Sequence, residues 1–488
     1  MTAGDGAPFV ARVDGLDDAL RELAPTLERF ATARTSNPIP AFQADPVPLP
    51  ATGVGLETVI AELGGFVDAG CRIGMPGWFG FVTTAPTTAP IVAATAAATA
   101  GSQRYLFHAF NHLEHLALGW LAELCGIPAN ASGVFTSGGS TANLIALGAA
   151  RQAAFEQRGR NVADDGMEAT PGRVYTSDRA HRTVHRSAAV LGLGRTSVRA
   201  AGTDVAGHVA TDQLRRMIAE DRAAGAVPIA IVAVAGSTDT GSIDDLAGLA
   251  EVARQEQVWL HVDGAYGLVA QCCPELRSRF EGVELADSWI VDPHKWLAAG
   301  TGIGAVYVRD GGVLTRAFSE GEAAYLEGSF APGAAPPVSQ FDGFAGRWAD
   351  QSVELSSPSR GAAVWAVLRE IGRDGVVARI HRDVTFAQVL AERVRAHEEL
   401  ELLCEPDLSI VCFRYVPVGP HPPEGLDILN SNIAEALRHT TATVPTSTIV
   451  NGNFALRPCF INPRTTQQDI DDLISNTTTI GRRLASTT

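Results

Sequence analysis

Between Ser137 and Val308 the chain alternates short apolar runs with helical stretches, and this alternation constrains the fold more than any other feature. Arg173–Thr176, Ile229–Ala235, Val258–Val262, Trp289–Val291 and Ile303–Val308 read as strands. Helices are expected between several of them: one opens at the turn Ser137–Ser140 and reaches about Phe155, and another covers Asp244–Gln255. Near-continuous apolar strands separated by helices build an α/β fold with a mainly parallel sheet covered on both faces. Before this region, Leu16, Leu20, Leu23, Leu27 and Phe30 recur at helical spacing, a Pro-rich link runs from Pro38 to Pro50, and Leu56–Val67 reads as a short helix. After it, the Gly, Pro, Ala and Ser residues between Phe318 and Gly346 predict a long loop of the kind that serves as an active-site lid. From Pro358, helices near Ala363–Ile371 and Asp383–His397, strands Leu408–Tyr415 and Asn453–Ile461, and a last helix near Asp469 predict a small α+β domain. The expected division is an N-terminal helical segment 1–85, a large domain 86–357 and a small domain 358–488.

Composition narrows the functional classes. A 488-residue chain with 46% hydrophobic and 19% charged residues is globular rather than disordered. Its net charge of −16 argues against nucleic acid or an anionic membrane as the main partner. The apolar run Ala89–Ala100 is too short to cross a bilayer, and Met1–Leu20 has neither a basic start nor an apolar core of a secretory signal. Seven scattered cysteines do not resemble a disulfide framework, so a cytoplasmic enzyme is expected. Among the 38 basic residues there is a single lysine, Lys295. Arginine replaces lysine wherever only charge matters, but it does not readily become a neutral nucleophile. The survivor marks a position that needs an amine.

Three motifs carry chemistry. Ser137-Gly138-Gly139-Ser140-Thr141-Ala142-Asn143 joins glycines and hydroxyls to a helix start, where free N–H groups favour an anion. His261-Val262-Asp263-Gly264-Ala265-Tyr266 places an aspartate at the end of a buried strand, where open α/β sheets bind ligands. Asp292-Pro293-His294-Lys295-Trp296 follows another strand directly and carries the only lysine. Pyridoxal phosphate needs an anion cradle, a carboxylate for its ring nitrogen and a lysine for its aldehyde, and the three motifs supply these together.

On these residues the chain resembles the group II pyridoxal-phosphate-dependent amino-acid decarboxylases, which include the aromatic amino-acid and glutamate decarboxylases; the resemblance runs from about Met75 to the C-terminus. It implies the fold-type I, aspartate-aminotransferase-like architecture, with a seven-stranded type of sheet and homodimeric active sites at the subunit boundary. Lys295 is then the Schiff-base lysine, Asp263 the partner of the pyridine nitrogen in a motif that includes Ala265, and His181 of Thr176-Ser-Asp-Arg-Ala-His the residue stacked on the ring. Gly139 and Ser140 fall on the phosphate turn, His294 near the phosphate, and Thr238 of Gly236-Ser-Thr near the ring oxygen. Tyr325 in the long loop resembles the tyrosine that reprotonates the substrate carbon, and Arg457 of Asn453-Phe-Ala-Leu-Arg resembles the arginine that meets the substrate carboxylate.

Met75-Pro-Gly-Trp78-Phe79-Gly80 departs from the family's His-Pro-aromatic segment, which helps wall the substrate pocket, so Trp78 and Phe79 are expected there while the substrate side chain stays open. His108, His112 and His115 share a helical face and are read as pocket or interface residues rather than metal ligands. The expected reaction converts an L-amino acid or a conjugate of one to the amine and carbon dioxide. Alternatives on the same scaffold are oxidative deamination to an aldehyde and β-elimination from an S-conjugated cysteine, outcomes suited to specialised metabolism.

Overall fold

A computed structural model describes residues 14–34, 49, 51–102, 108–203, 209–319, 348–419 and 423–486. The N-terminal part contributes helices α1 (Leu16–Ala31) and α2 (Leu56–Asp68), the two-residue strand β1 (Trp78–Phe79), and helices α3 (Thr88–Thr99) and α4 (His108–Leu124). The large sheet follows as β2 (Ser132–Thr136), β3 (Gly172–Ser177), β4 (Val198–Ala201), β5 (Val227–Val234), β6 (Trp259–Asp263), β7 (Ser288–Val291) and β8 (Gly304–Val308), with helix α5 (Gly139–Glu156) after β2.

These seven strands lie in the order β2-β8-β7-β6-β5-β3-β4. Neighbours from β7 through β4 are parallel, while β8 runs antiparallel to both β7 and β2. Every residue of β5, Val-Pro-Ile-Ala-Ile-Val-Ala-Val, is buried, as a central strand covered on both faces must be. The five strands read from sequence are all present. The two that sequence did not reveal, β2 and β4, are the sheet's edges, where short runs such as Val-Arg-Ala-Ala lack the continuous apolar signal.

The second sheet contains β9 (Leu400–Cys404), β10 (Cys412–Tyr415), β11 (Val444–Val450) and β12 (Asn453–Arg457), and its order is β1-β11-β12-β10-β9. Thus β1, from the N-terminal segment, is a strand of the C-terminal sheet, and Trp78 lies opposite Val444. Phe79 is fully buried there against Phe460, with ring centroids 5.2 Å apart; burying such a ring stabilises by about 1.5–3 kcal/mol. The two helices expected after Pro358 form one long element, Gly361–Ala396, broken at Gly372, whose φ of 63° and ψ of −176° are not helical. Trp296, next to the lone lysine, stacks on Tyr266 with centroids 5.1 Å apart and donates its Nε1–H to Asp383 of that helix at 2.9 Å.

Among the described residues no helix is long and apolar enough to cross a membrane. His112 and His115 are exposed on α4, and the side chain of His108 lies outside the described residues.

Gly77 sets the junction between the N-terminal segment and the small sheet. Its carbonyl accepts from Val444 N–H at 2.9 Å, and a Cβ there would lie 2.1 Å from the Ala442 carbonyl oxygen. Overpacking of this kind typically costs about 1–3 kcal/mol. Gly77→Ala is therefore expected to lower the denaturant midpoint of unfolding by a corresponding amount; an unchanged midpoint would show that the β1–β11 junction yields freely.

Candidate active site

The parallel strands deliver their C-terminal ends to one rim, and the reversed strand β8 brings its beginning to the same place. β2 leads into the turn Ser137–Gly138 and α5, β3 into the loop carrying His181, β5 into Gly236 and Thr238, β6 ends on Asp263, and β7 leads into Asp292–Lys295. Together with Thr301 and Gly302 before β8, these segments enclose a cavity of about 370 Å³. Of the residues expected from sequence, Gly139, Ser140, His181, Thr238, Asp263, Ala265, His294 and Lys295 all line it.

At one side stands the start of α5. Gly138 occupies the cap position at φ 124° and offers no side chain to the first N–H groups of the eighteen-residue helix. Those donors and the positive end of the helix dipole favour an anion. His294 donates its Nδ1–H to the Ile303 carbonyl at 2.8 Å, which leaves Nε2 as the nitrogen available to a ligand.

Opposite lies Asp263, 7% exposed. A buried carboxylate needs donors, and it has two: Asn143 Nδ2 at 3.1 Å on one oxygen and the Ala265 N–H at 3.3 Å on the other. Lys295 Nζ forms an ion pair with Asp292 at 3.2 Å, and the other Asp292 oxygen is buried without a hydrogen-bond partner. The Asp292 carboxylate is pressed against the backbone: a Cβ at Gly139 would come within 2.6 Å of one oxygen and a Cβ at Gly304 within 2.7 Å of the other. His181 accepts at Nδ1 from the Thr183 hydroxyl at 2.8 Å. Burial pushes the His181 imidazole below the usual 6.5, with Asp263 opposing that shift and Lys295 adding to it.

Other expected residues lie elsewhere. Trp78 and Phe79 do not line this cavity; both are buried, and Phe79 belongs to the core of the small sheet. Arg457 does not line it either. It is 4% exposed, donating Nε–H to the Asp239 carbonyl at 3.1 Å and Nη1–H to Thr446 Oγ1 at 3.0 Å, immediately behind the turn that carries Thr238. Tyr325 is outside the described residues. The structure also adds lining residues to which the sequence assigned no role: Asn143, Tyr266 and Asp292 within the three motifs, and Thr183, Thr301 and Gly302 outside them. Asn143 carried a usable signal, because it follows Gly139 by four positions and so shares its helical face; Thr183 carried none beyond its nearness to His181.

The donor set fits pyridoxal phosphate on chemistry alone. An uncapped helix start suits the phosphate, a buried carboxylate with both oxygens already oriented suits a ring N–H, and the chain's only side-chain amine lies in the same cavity. Comparison with known proteins agrees. Residues 40–416 match the pyridoxal-dependent decarboxylase conserved domain. The chain is 31% identical over 362 residues to an aromatic-L-amino-acid decarboxylase of Bacillus atrophaeus, covering 73% of this chain and 70% of the relative. It is 32% identical over 354 residues to an L-2,4-diaminobutyrate decarboxylase of Rhizobium meliloti, covering 72% and 67%. A solved structure of an Oryza sativa enzyme, TDC with PLP and tryptamine, superposes with a TM-score of 0.87 at 25% identity, over 97% of this chain and all of that one. With its sheet, cavity and donor set all of one kind, the chain belongs to the pyridoxal-dependent decarboxylase family, a fold-type I enzyme that decarboxylates an amino acid with pyridoxal phosphate.

Proposed function

We propose that the protein releases the α-carboxyl group of an L-amino acid as carbon dioxide and returns the amine. The observation that carries this reading is the meeting of Lys295, Asp263 and the uncapped start of α5 in one cavity. When bound, pyridoxal phosphate supplies an electron-accepting ring joined to the substrate nitrogen.

The chain's own residues do the rest. Lys295 supplies the amine that holds the cofactor; in its support stand its uniqueness and its place on the cavity wall. Asp292, 3.2 Å away, is the counter-ion of that amine. Asp263 would hold a proton on the pyridine nitrogen of the bound cofactor. His181 would pack against the ring, Gly139, Ser140 and His294 would receive the phosphate, and Thr238 and Ala265 would complete the ring's surroundings. Arg457 braces the Thr238–Asp239 turn from behind, which favours support of the substrate pocket over direct contact with the substrate carboxylate. Tyr325 is the proposed acid that protonates Cα after carbon dioxide leaves, a step of the kind normally worth about 10²–10⁴-fold.

We also propose a homodimer. Leu16, Leu20 and Leu27 of α1 and Leu63 of α2 are each at least 40% exposed, an apolar surface that a second copy would cover.

Product analysis decides between the reading and its alternatives. Wild type is expected to yield amine and carbon dioxide in equal amounts, with ammonia and peroxide near background. Tyr325→Phe, assayed in air-saturated buffer, is expected to slow amine formation and to divert product towards aldehyde and ammonia, with dioxygen taking the two electrons and leaving as peroxide. Aldehyde or a thiol fragment as the main product of wild type would replace decarboxylation to the amine.

The lowered pKa of His181 fixes a sign for the pH dependence. Its neutral form is favoured at pH 7, and a proton is added only as pH falls through a value below 6.5. The cation formed there would repel a protonated ring nitrogen. The acid limb of kcat/KM is therefore expected to have its midpoint below 6.5 in wild type and to be absent in His181→Gln. A limb unchanged by that substitution would assign it to another group.

A further inference from the structure

β6 contains an oddity for a buried strand: His261 is 0% exposed, in the middle of Trp-Leu-His-Val-Asp. Its two ring nitrogens are both engaged. Nδ1 lies 2.8 Å from Ser288 Oγ on β7, and Nε2 lies 3.0 Å from Asn143 Oδ1 on α5. Ser288 in turn accepts from Trp259 Nε1–H at 2.8 Å. Asn143 Nδ2 donates to Asp263 Oδ2 at 3.1 Å and to Thr183 Oγ1 at 3.2 Å, and Thr183 lies 2.8 Å from His181 Nδ1.

The Asp263 end of this network sets its directions. A carboxylate oxygen accepts, so Asn143 turns its Nδ2 hydrogens to Asp263 and Thr183 and its carbonyl oxygen to His261. That carbonyl oxygen only accepts, so His261 carries its proton on Nε2. The neutral ring then accepts at Nδ1 from the Ser288 hydroxyl, which itself accepts from Trp259. His181 Nδ1 accepts from the Thr183 backbone N–H at 3.4 Å and faces the Thr183 hydroxyl at 2.8 Å, which leaves the His181 proton on Nε2. Burial pushes the His261 pKa down to about 4, which keeps the ring neutral with the single proton this order requires.

We propose that Asn143 and His261 are positioning residues that set the hydrogen-bonding state of both groups assigned to the cofactor ring, holding Asp263 as an oriented carboxylate and His181 as its Nε2–H tautomer. This rests on Asp263 being the partner of the ring nitrogen. A neutral histidine in this orientation stiffens the site without adding charge, and Asn143 alone touches both arms of the network. A merely structural role for His261 would need no particular donor at Nε2.

The test uses the full-length holoenzyme reconstituted with pyridoxal phosphate labelled with ¹⁵N in the ring. The readouts are the ring nitrogen resonance and the cofactor dissociation constant, neither of which depends on turnover. In Asn143→Leu and His261→Phe the resonance is expected to move towards that of the unprotonated ring. The dissociation constant is expected to rise at least about tenfold, the scale of one lost hydrogen bond to a charged group. His261→Gln, whose amide N–H can reach the place of Nε2, is expected to restore both. Ser288→Ala removes one oxygen only and serves if the larger changes unfold the protein; it too should move the resonance. Asp263→Asn is measured in parallel. If Asp263→Asn moves the resonance while Asn143→Leu, His261→Phe and Ser288→Ala do not, the positioning role is overturned. If Asp263→Asn itself leaves the resonance in place, the assignment of Asp263 to the ring nitrogen fails instead.

Discussion

The site depends on holding one buried carboxylate in a fixed orientation. Asp263 ends the central strand β6, and at that depth an unpaired charge would cost several kcal/mol or be neutralised. Asn143 and the Ala265 N–H each hold one of its oxygens. Two successive turns of α5 thus serve two ends: the uncapped N–H groups of the first favour an anion, and the next supplies the amide that fixes the carboxylate across the cavity. A shift of α5 along the sheet would disturb both. The buried alanines of α5, among them Ala142, Ala146, Ala149 and Ala150, let the helix lie close to the sheet and hold its place.

The sheet order explains why residues far apart in sequence converge. Parallel strands present all their C-terminal ends on one edge, and the single reversed strand β8 lets the chain re-enter at the same edge through Thr301 and Gly302. Lys295 sits between these two passages, immediately after β7. Trp296 anchors the segment by stacking on Tyr266 and by its bond to Asp383, so the flexible amine is mounted on a rigid turn. Every other Lys/Arg position is an arginine, so no other side-chain amine competes with Lys295.

Much of this was legible in the sequence because strand ends and turns announce themselves locally. The apolar runs that became β3, β5, β6, β7 and β8 marked the buried strands, and the motifs at their ends named eight residues that line the cavity. What stayed hidden were relations made only by tertiary packing. The edge strands β2 and β4 lack a continuous apolar signal, and β1 joins a sheet whose other strands begin more than three hundred residues later. The aromatic pair Trp78–Phe79 looked like a pocket wall, yet Phe79 packs on Phe460, since a fully apolar side chain gains more from a core than from a polar cavity. His261 carries no local signal of its role, because Ser288 and Asn143, from two other elements, meet its ring nitrogens only in the fold.

Borohydride reduction of the holoenzyme followed by peptide mapping tests most directly whether this cavity carries pyridoxal phosphate on Lys295. The pyridoxyl group is expected on the single peptide that contains Asp292-Pro293-His294-Lys295-Trp296, and Lys295→Ala protein should take up no label under the same conditions. Label on the N-terminal amine alone, or a Lys295→Ala protein that keeps the wild-type rate, would contradict it.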